Sequence, residues 1–78
     1  MGIKDELKDC IRGRLGEAAS PFFVNRALAR IDEVESDMRS LMTASSRVVK
    51  MIRLFIDEQV AEEVMKALRL KIERAGLQ

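Results

Sequence analysis

The stretch PFFVNRALARIDEVESDMRSLMTASSRVVKMIRLFI, residues 21–56, decides the fold. Within it Val24, Ala27, Ile31, Val34, Met38, Leu41, Ser45, Val48, Ile52 and Phe55 follow one another at alternating steps of three and four, and only Ser45 is not apolar. An α-helix needs that alternation to keep one narrow stripe turned toward a partner helix, so the stretch reads as a packing seam.

Its punctuation is uneven. Ser20-Pro21 marks a helix start, because Ser is a good N-cap and Pro costs nothing where its missing N–H would have had no partner. Glu35 and Arg39 are a favourable pair four residues apart, which carries the helix on to Met42. Thr43-Ala44-Ser45-Ser46 then puts hydroxyls close together, where they compete for backbone hydrogen bonds, so a break is expected there. An unbroken helix from Pro21 to Ile56 would be about 54 Å long at about 1.5 Å per residue. That is too long for one small chain to cover and would nearly force a dimer.

Working outward, Ile3, Leu7, Cys10, Ile11, Leu15 and Ala18 recur at helical spacing, with Gly16 expected to stop the helix in the left-handed conformation. On the far side Asp57 is an N-cap type, followed by Glu58 in a first turn where negative charge suits the helix dipole. Ala61, Val64, Met65, Leu68, Ile72 and Ala75 give that helix its buried face, and Gly76 is placed to end it, with Leu77 folding back on Ile72. The expectation is therefore an all-α fold, one domain over residues 1–78, built as a small antiparallel bundle of three or four helices. Their ranges are Ile3 to Leu15, Pro21 to Met42, Arg47 to Ile56 and Glu58 to Ala75, with the last two either separate at Asp57 or continuous through it.

Composition narrows the function. With 14 Lys and Arg against 13 Asp and Glu, the net charge of +1 offers no large field of one sign. Histidine is absent, which removes the commonest general base and zinc ligand. Cys10 sits in an apolar stripe with no histidine to activate it and reads as a small buried side chain. The acids Asp32, Glu33, Glu35 and Asp37 are scattered around a helix axis and read as a solvated face; Glu62 and Glu63 point about 100° apart and make no catalytic couple. No enzyme activity, no cofactor and no metal site is expected. A single cysteine and the charged start MGIKDELKD fit a cytoplasmic protein that does not cross a membrane.

What remains is binding. Seven of the nine residues from Val48 to Ile56 are apolar and cover roughly 220° of a helical wheel, more than one partner helix can bury. The leading expectation is a protein-interaction module, a homodimer or a partner of another helical protein, using Val48, Met51, Ile52, Phe55 and Ile56, with Arg and Lys on the rim. On that reading Ile52→Asp should dissociate the assembly. Met38, Met42, Met51 and Met65 would fill the core or supply an adaptable groove. The alternative is a nucleic-acid-associated protein in which Arg47, Lys50 and Arg53, aligned with Lys66 and Arg69, form a basic strip against phosphates. Interleaved acids weigh against it, as does the lack of a recognition helix.

Overall fold

The computed structural model describes residues 2–76 and is helical nearly throughout: α1 Ile3–Leu15, α2 Pro21–Asp32, α3 Met38–Phe55 and α4 Glu58–Arg74. The four helices close a ring in which α1 packs on α2 and α4, and α3 on α2 and α4; across the two diagonals no Cα atoms come within 8 Å. All neighbours run antiparallel. Lys4 at the start of α1 meets Asp32 at the end of α2, Arg14 near the end of α1 meets Glu63 in the first half of α4, and Phe23 in the first turn of α2 meets Phe55 in the last turn of α3. The bundle measures 32 × 20 × 18 Å.

Three of the expected boundaries hold for the expected reasons. Ser20 Oγ accepts from the Phe23 N–H at 3.2 Å with Pro21 at the first helical position. Asp57 accepts from the N–H groups of Gln59 and Val60 at 3.0 and 3.2 Å, so α3 and α4 are separate helices joined by Ile56 and Asp57 alone. Gly76 has φ of +65°, the left-handed turn expected past the end of α4, which ends at Arg74. The proposed contact of Leu77 with Ile72 lies outside the described residues. Gly16 also follows a helix end but stays right-handed, at φ −46° and ψ −40°, and its N–H still bonds to Arg12 O.

The central break is where the sequence reading is corrected. Residues 43–46 do not interrupt a helix; they are the interior of α3, and the chain breaks instead over residues 33–37. Thr43 Oγ1 donates to its own helix at Arg39 O (2.9 Å), which satisfies the hydroxyl without ending anything. Ala44 and Ser45 are buried, small enough to let another helix approach. The acids do the breaking. Asp37 accepts from the Ser40 N–H at 3.0 Å and caps α3, while the carbonyl end of α2 is met by α1: Lys4 Nζ donates to Asp32 O at 3.2 Å and Lys8 Nζ to Asp32 Oδ1 at 3.0 Å. Two lysines thus complement the negative end of the α2 dipole. Asp32 and Asp37 are helix-terminal groups rather than a featureless solvated face.

The core takes one stripe from each helix: Leu7, Ile11 and Leu15; Ala27, Leu28 and Ile31; Leu41, Ala44, Val48, Val49 and Ile52; Ala61, Val64, Leu68 and Ile72. The three-and-four seam survives the break because Val34 and Met38, at the turn and just after it, still pack against this cluster.

Candidate functional site

The apolar side chains that the bundle leaves outside concentrate where α2 and α3 meet. At about 100° per residue, Leu54 stands about 200° around α3 from the buried Ile52 and turns directly away from the core. Phe55 is only about 60° around from Ile52, much nearer the core direction, but sits in the final turn of α3, opposite the first turn of α2. Leu54 is 67% exposed and Phe55 73%. On α2 the run Phe22-Phe23-Val24 cannot face one way. Phe23 turns inward and meets Phe55 edge to face, ring centroids 6.4 Å apart, while Phe22 remains 70% exposed with the Arg26 guanidinium 5.7 Å from its ring centre.

Two depressions cross this surface. One, of about 350 Å³, lies among Phe22, Phe23, Arg26, Arg30, Met51 and Phe55. The other, of about 360 Å³, lies among Arg30, Arg47, Lys50, Met51 and Leu54. They share Arg30 and Met51 and so form one trough with an apolar floor. Its rim is basic, with Arg26 and Arg30 on the α2 side and Arg47 and Lys50 on the α3 side. Arg30 has Glu33 at 3.9 Å, both side chains open to water; Arg26, Arg47 and Lys50 form no ion pair among the described residues.

The five residues expected to form an interface do not share one environment. Val48 and Ile52 are wholly buried in the bundle's own core, because α4 and α2 between them cover that arc of α3. Met51 and Ile56 are half-buried, and Phe55 is open. Phe22 and Leu54 were not among the expected residues. The sequence signal for Phe22 was the apolar triplet at a helix start, too wide for one packing face.

The basic strip divides as well. Steps of three fall about 60° short of a full turn, so Arg47 and Arg53 end about 120° apart on α3. Arg47 and Lys50 border the α2 side. Arg53 and Arg69 border a separate cleft of about 160 Å³ between α3 and α4, whose walls include Met42, Val49 and Met65. Arg53 also reaches Glu58 at 4.0 Å. Lys66 is exposed and lines neither depression. Under that cleft the buried Ser45 Oγ has no hydrogen-bond partner.

Cys10 is half-buried on α1, and burial pushes its thiol pKa up, against the smaller opposing pull of Arg14 and Lys71. A raised pKa lowers the share of thiolate, the reactive form, at neutral pH. Among the described residues no group of three or more Cys, Asp or Glu is placed to hold a metal ion, and no helix is long and apolar enough to cross a membrane.

Comparison with known proteins finds no matching family model, no similar curated protein and no similar solved structure.

Proposed function

We propose that this protein is a helical interaction module that works by binding rather than by catalysis, and that its docking surface is the α2–α3 trough. The observation that carries the reading is the exposure of Phe22, Leu54 and Phe55 together on one side of a bundle whose other apolar side chains are mostly covered. Large apolar groups scattered singly mean little, but grouped around a depression and rimmed by polar residues they mark interaction sites. Met51 on the floor is a flexible side chain of the kind that lets such a surface adapt.

The homodimer expected from the sequence is one form of this reading, with the contact moved from Val48 and Ile52 to Phe22, Leu54 and Phe55. Light scattering after gel filtration, from micromolar concentration upward, tests that form. The wider reading is tested on an array of amphipathic helical peptides probed with the wild type and with a Phe22→Ser/Phe55→Ser double variant. The wild type should bind a subset of the peptides, and the double variant, folded by circular dichroism, should bind none of them. Equal binding by both proteins, or by neither without self-association of the wild type, would remove the trough as a docking surface.

A further inference from the structure

We infer that the occupant of the α2–α3 trough is an acidic amphipathic helix of another protein, two to three turns long, and not a second copy of this chain. The inference rests on the docking reading above and adds the chemistry of the partner.

Length comes first. Phe22 to Arg30 on α2 and Arg47 to Phe55 on α3 are each eight residues apart, about 12 Å along antiparallel helices. A helix presenting anchors at i, i+3 or i+4, and i+7 spans about 10.5 Å and would fill that trough between two ridges of side chains.

Charge decides the partner's flanks. Cations stand on both sides of the apolar floor, two from α2 and two from α3, and among the described residues Glu33 beside Arg30 is the one carboxylate that pairs with them. A helix entering with carboxylates on either side of its apolar ridge would meet cations on both edges.

The same charges disfavour a second copy. A two-fold contact across this surface would gather two sets of four cations around a single apolar centre, and like charges brought together there oppose association. A head-to-tail contact fares no better, because it needs an acidic apolar ridge elsewhere on the chain. Among the described residues the large exposed apolar side chain outside the trough is Leu70, 47% exposed; its neighbours one turn away on α4 are Lys66, Ala67, Glu73 and Arg74, a set with more basic than acidic charge. Duplex nucleic acid is disfavoured by the floor: its phosphates would pair with the rim, but its stacked bases would leave Phe22, Leu54 and Phe55 uncovered.

The test is a displayed library of fourteen-residue helical peptides with fixed apolar anchors, in which each flanking position can be Glu, Gln or Lys. Selection on the wild-type protein should enrich Glu on both flanks, and the selected peptide should bind about tenfold more tightly than its Gln counterpart at physiological salt. That advantage should shrink as salt rises. An Arg26→Glu/Arg47→Glu variant should reverse the preference toward Lys, and Phe22→Ser/Phe55→Ser should bind no selected peptide. Enrichment without charge preference, or of Lys, would overturn the acidic partner while leaving the docking surface in place. Dimerisation lost in Phe55→Ser would assign the trough to a second copy. Capture of phosphatidylserine vesicles or duplex DNA by the same residues, with no peptide selected, would also overturn it. No enrichment, with the double variant indistinguishable from the wild type, would take the docking reading down as well.

Discussion

Along α3, Ile52 is wholly buried and Phe55, three residues on, lies 73% in water. The two side chains are of similar hydrophobicity, on the same helix, within one turn. The difference is azimuth and height: Ile52 faces the axis of the bundle, while Phe55 is on the α2 flank at the end where only the first turn of α2 stands opposite. On the α4 flank of α3, Val49 and Ile52 are buried in one core cluster with Val64 and Leu68 beside the smaller cleft, whereas the α2 flank keeps Phe22, Leu54 and Phe55 outside. Burial here follows from which helix lies alongside, and apolar content alone does not determine it. One side of α3 serves the fold, and the other is free to serve a partner.

Substitutions on the two flanks should therefore have unequal costs. Ile52→Asp should abolish the cooperative thermal transition, because it loses a packed side chain and buries an unpaired charge, at a cost of about 4 kcal/mol or more in a domain whose whole stability is of order 4–12 kcal/mol. Phe55→Asp should cost only about 1–2 kcal/mol, from the lost edge-to-face contact with Phe23 and a negative charge in the last turn of α3. Comparable losses at both positions in urea titrations would erase the distinction. With Ile52 in the core, Ile52→Asp tests the fold, and Phe55 is the position that tests the surface.

A smaller effect, of opposite sign, is expected on the α4 flank. Ser45 Oγ is buried without a partner, so Ser45→Ala removes a desolvated hydroxyl and improves helix propensity. Chemical denaturation should show a gain of about 1 kcal/mol. A loss of that size would mean the hydroxyl is bonded after all.

Smaller still is the contact that finishes α2. Lys8, mostly covered, reaches Asp32 at 3.0 Å, but Asp32 is half open to water, which screens the pair. Lys8→Gln should cost about 0.5 kcal/mol and less at high salt, read from the shift in denaturation midpoint. No change at any salt would remove Lys8 from the groups that hold the end of α2 and leave that role to Lys4.

The last prediction concerns pH at the break. The Ser40 N–H, with lesser help from its hydroxyl, holds the Asp37 carboxyl below its ordinary value of 3.8. The folded state thus prefers the carboxylate, and its contribution is present above the unfolded-state pKa and lost as pH falls through the lowered folded-state value. Asp37→Asn keeps a capping oxygen without the charge. The wild type should hold an advantage over it at neutral pH that narrows below about pH 4 in parallel melts. A gap that stays constant with pH would show that the charge adds nothing to the cap.

These contrasts also explain what could be read in advance. The caps at Ser20 and Asp57, the left-handed Gly76 and the buried stripes of α1 and α4 are local or periodic features, and local chemistry decides them. The break over residues 33–37 was not legible, because Val34 and Met38 keep the three-and-four rhythm through a turn and the hydroxyls of 43–46 offered a more familiar stop. What ends α2 is partly tertiary: Lys4 and Lys8 come from a helix more than twenty residues away. The site was half legible for the same reason. An excess of apolar side chains near Phe55 could be counted, but which of them stay outside depends on how α2 and α4 divide the arc of α3, and that moved Val48 and Ile52 inward and brought Phe22 and Leu54 into play.

The central claim, that the α2 flank of α3 is kept open for an acidic helix, is tested most directly by an amide NMR titration with the Glu-flanked peptide selected by the wild-type protein. The account predicts saturable shifts confined to residues 22–30 and 47–55, with the amides of α1 and the second half of α4 unmoved. Shifts centred on the α3–α4 cleft around Arg53 and Arg69, or spread over the whole bundle, would contradict it.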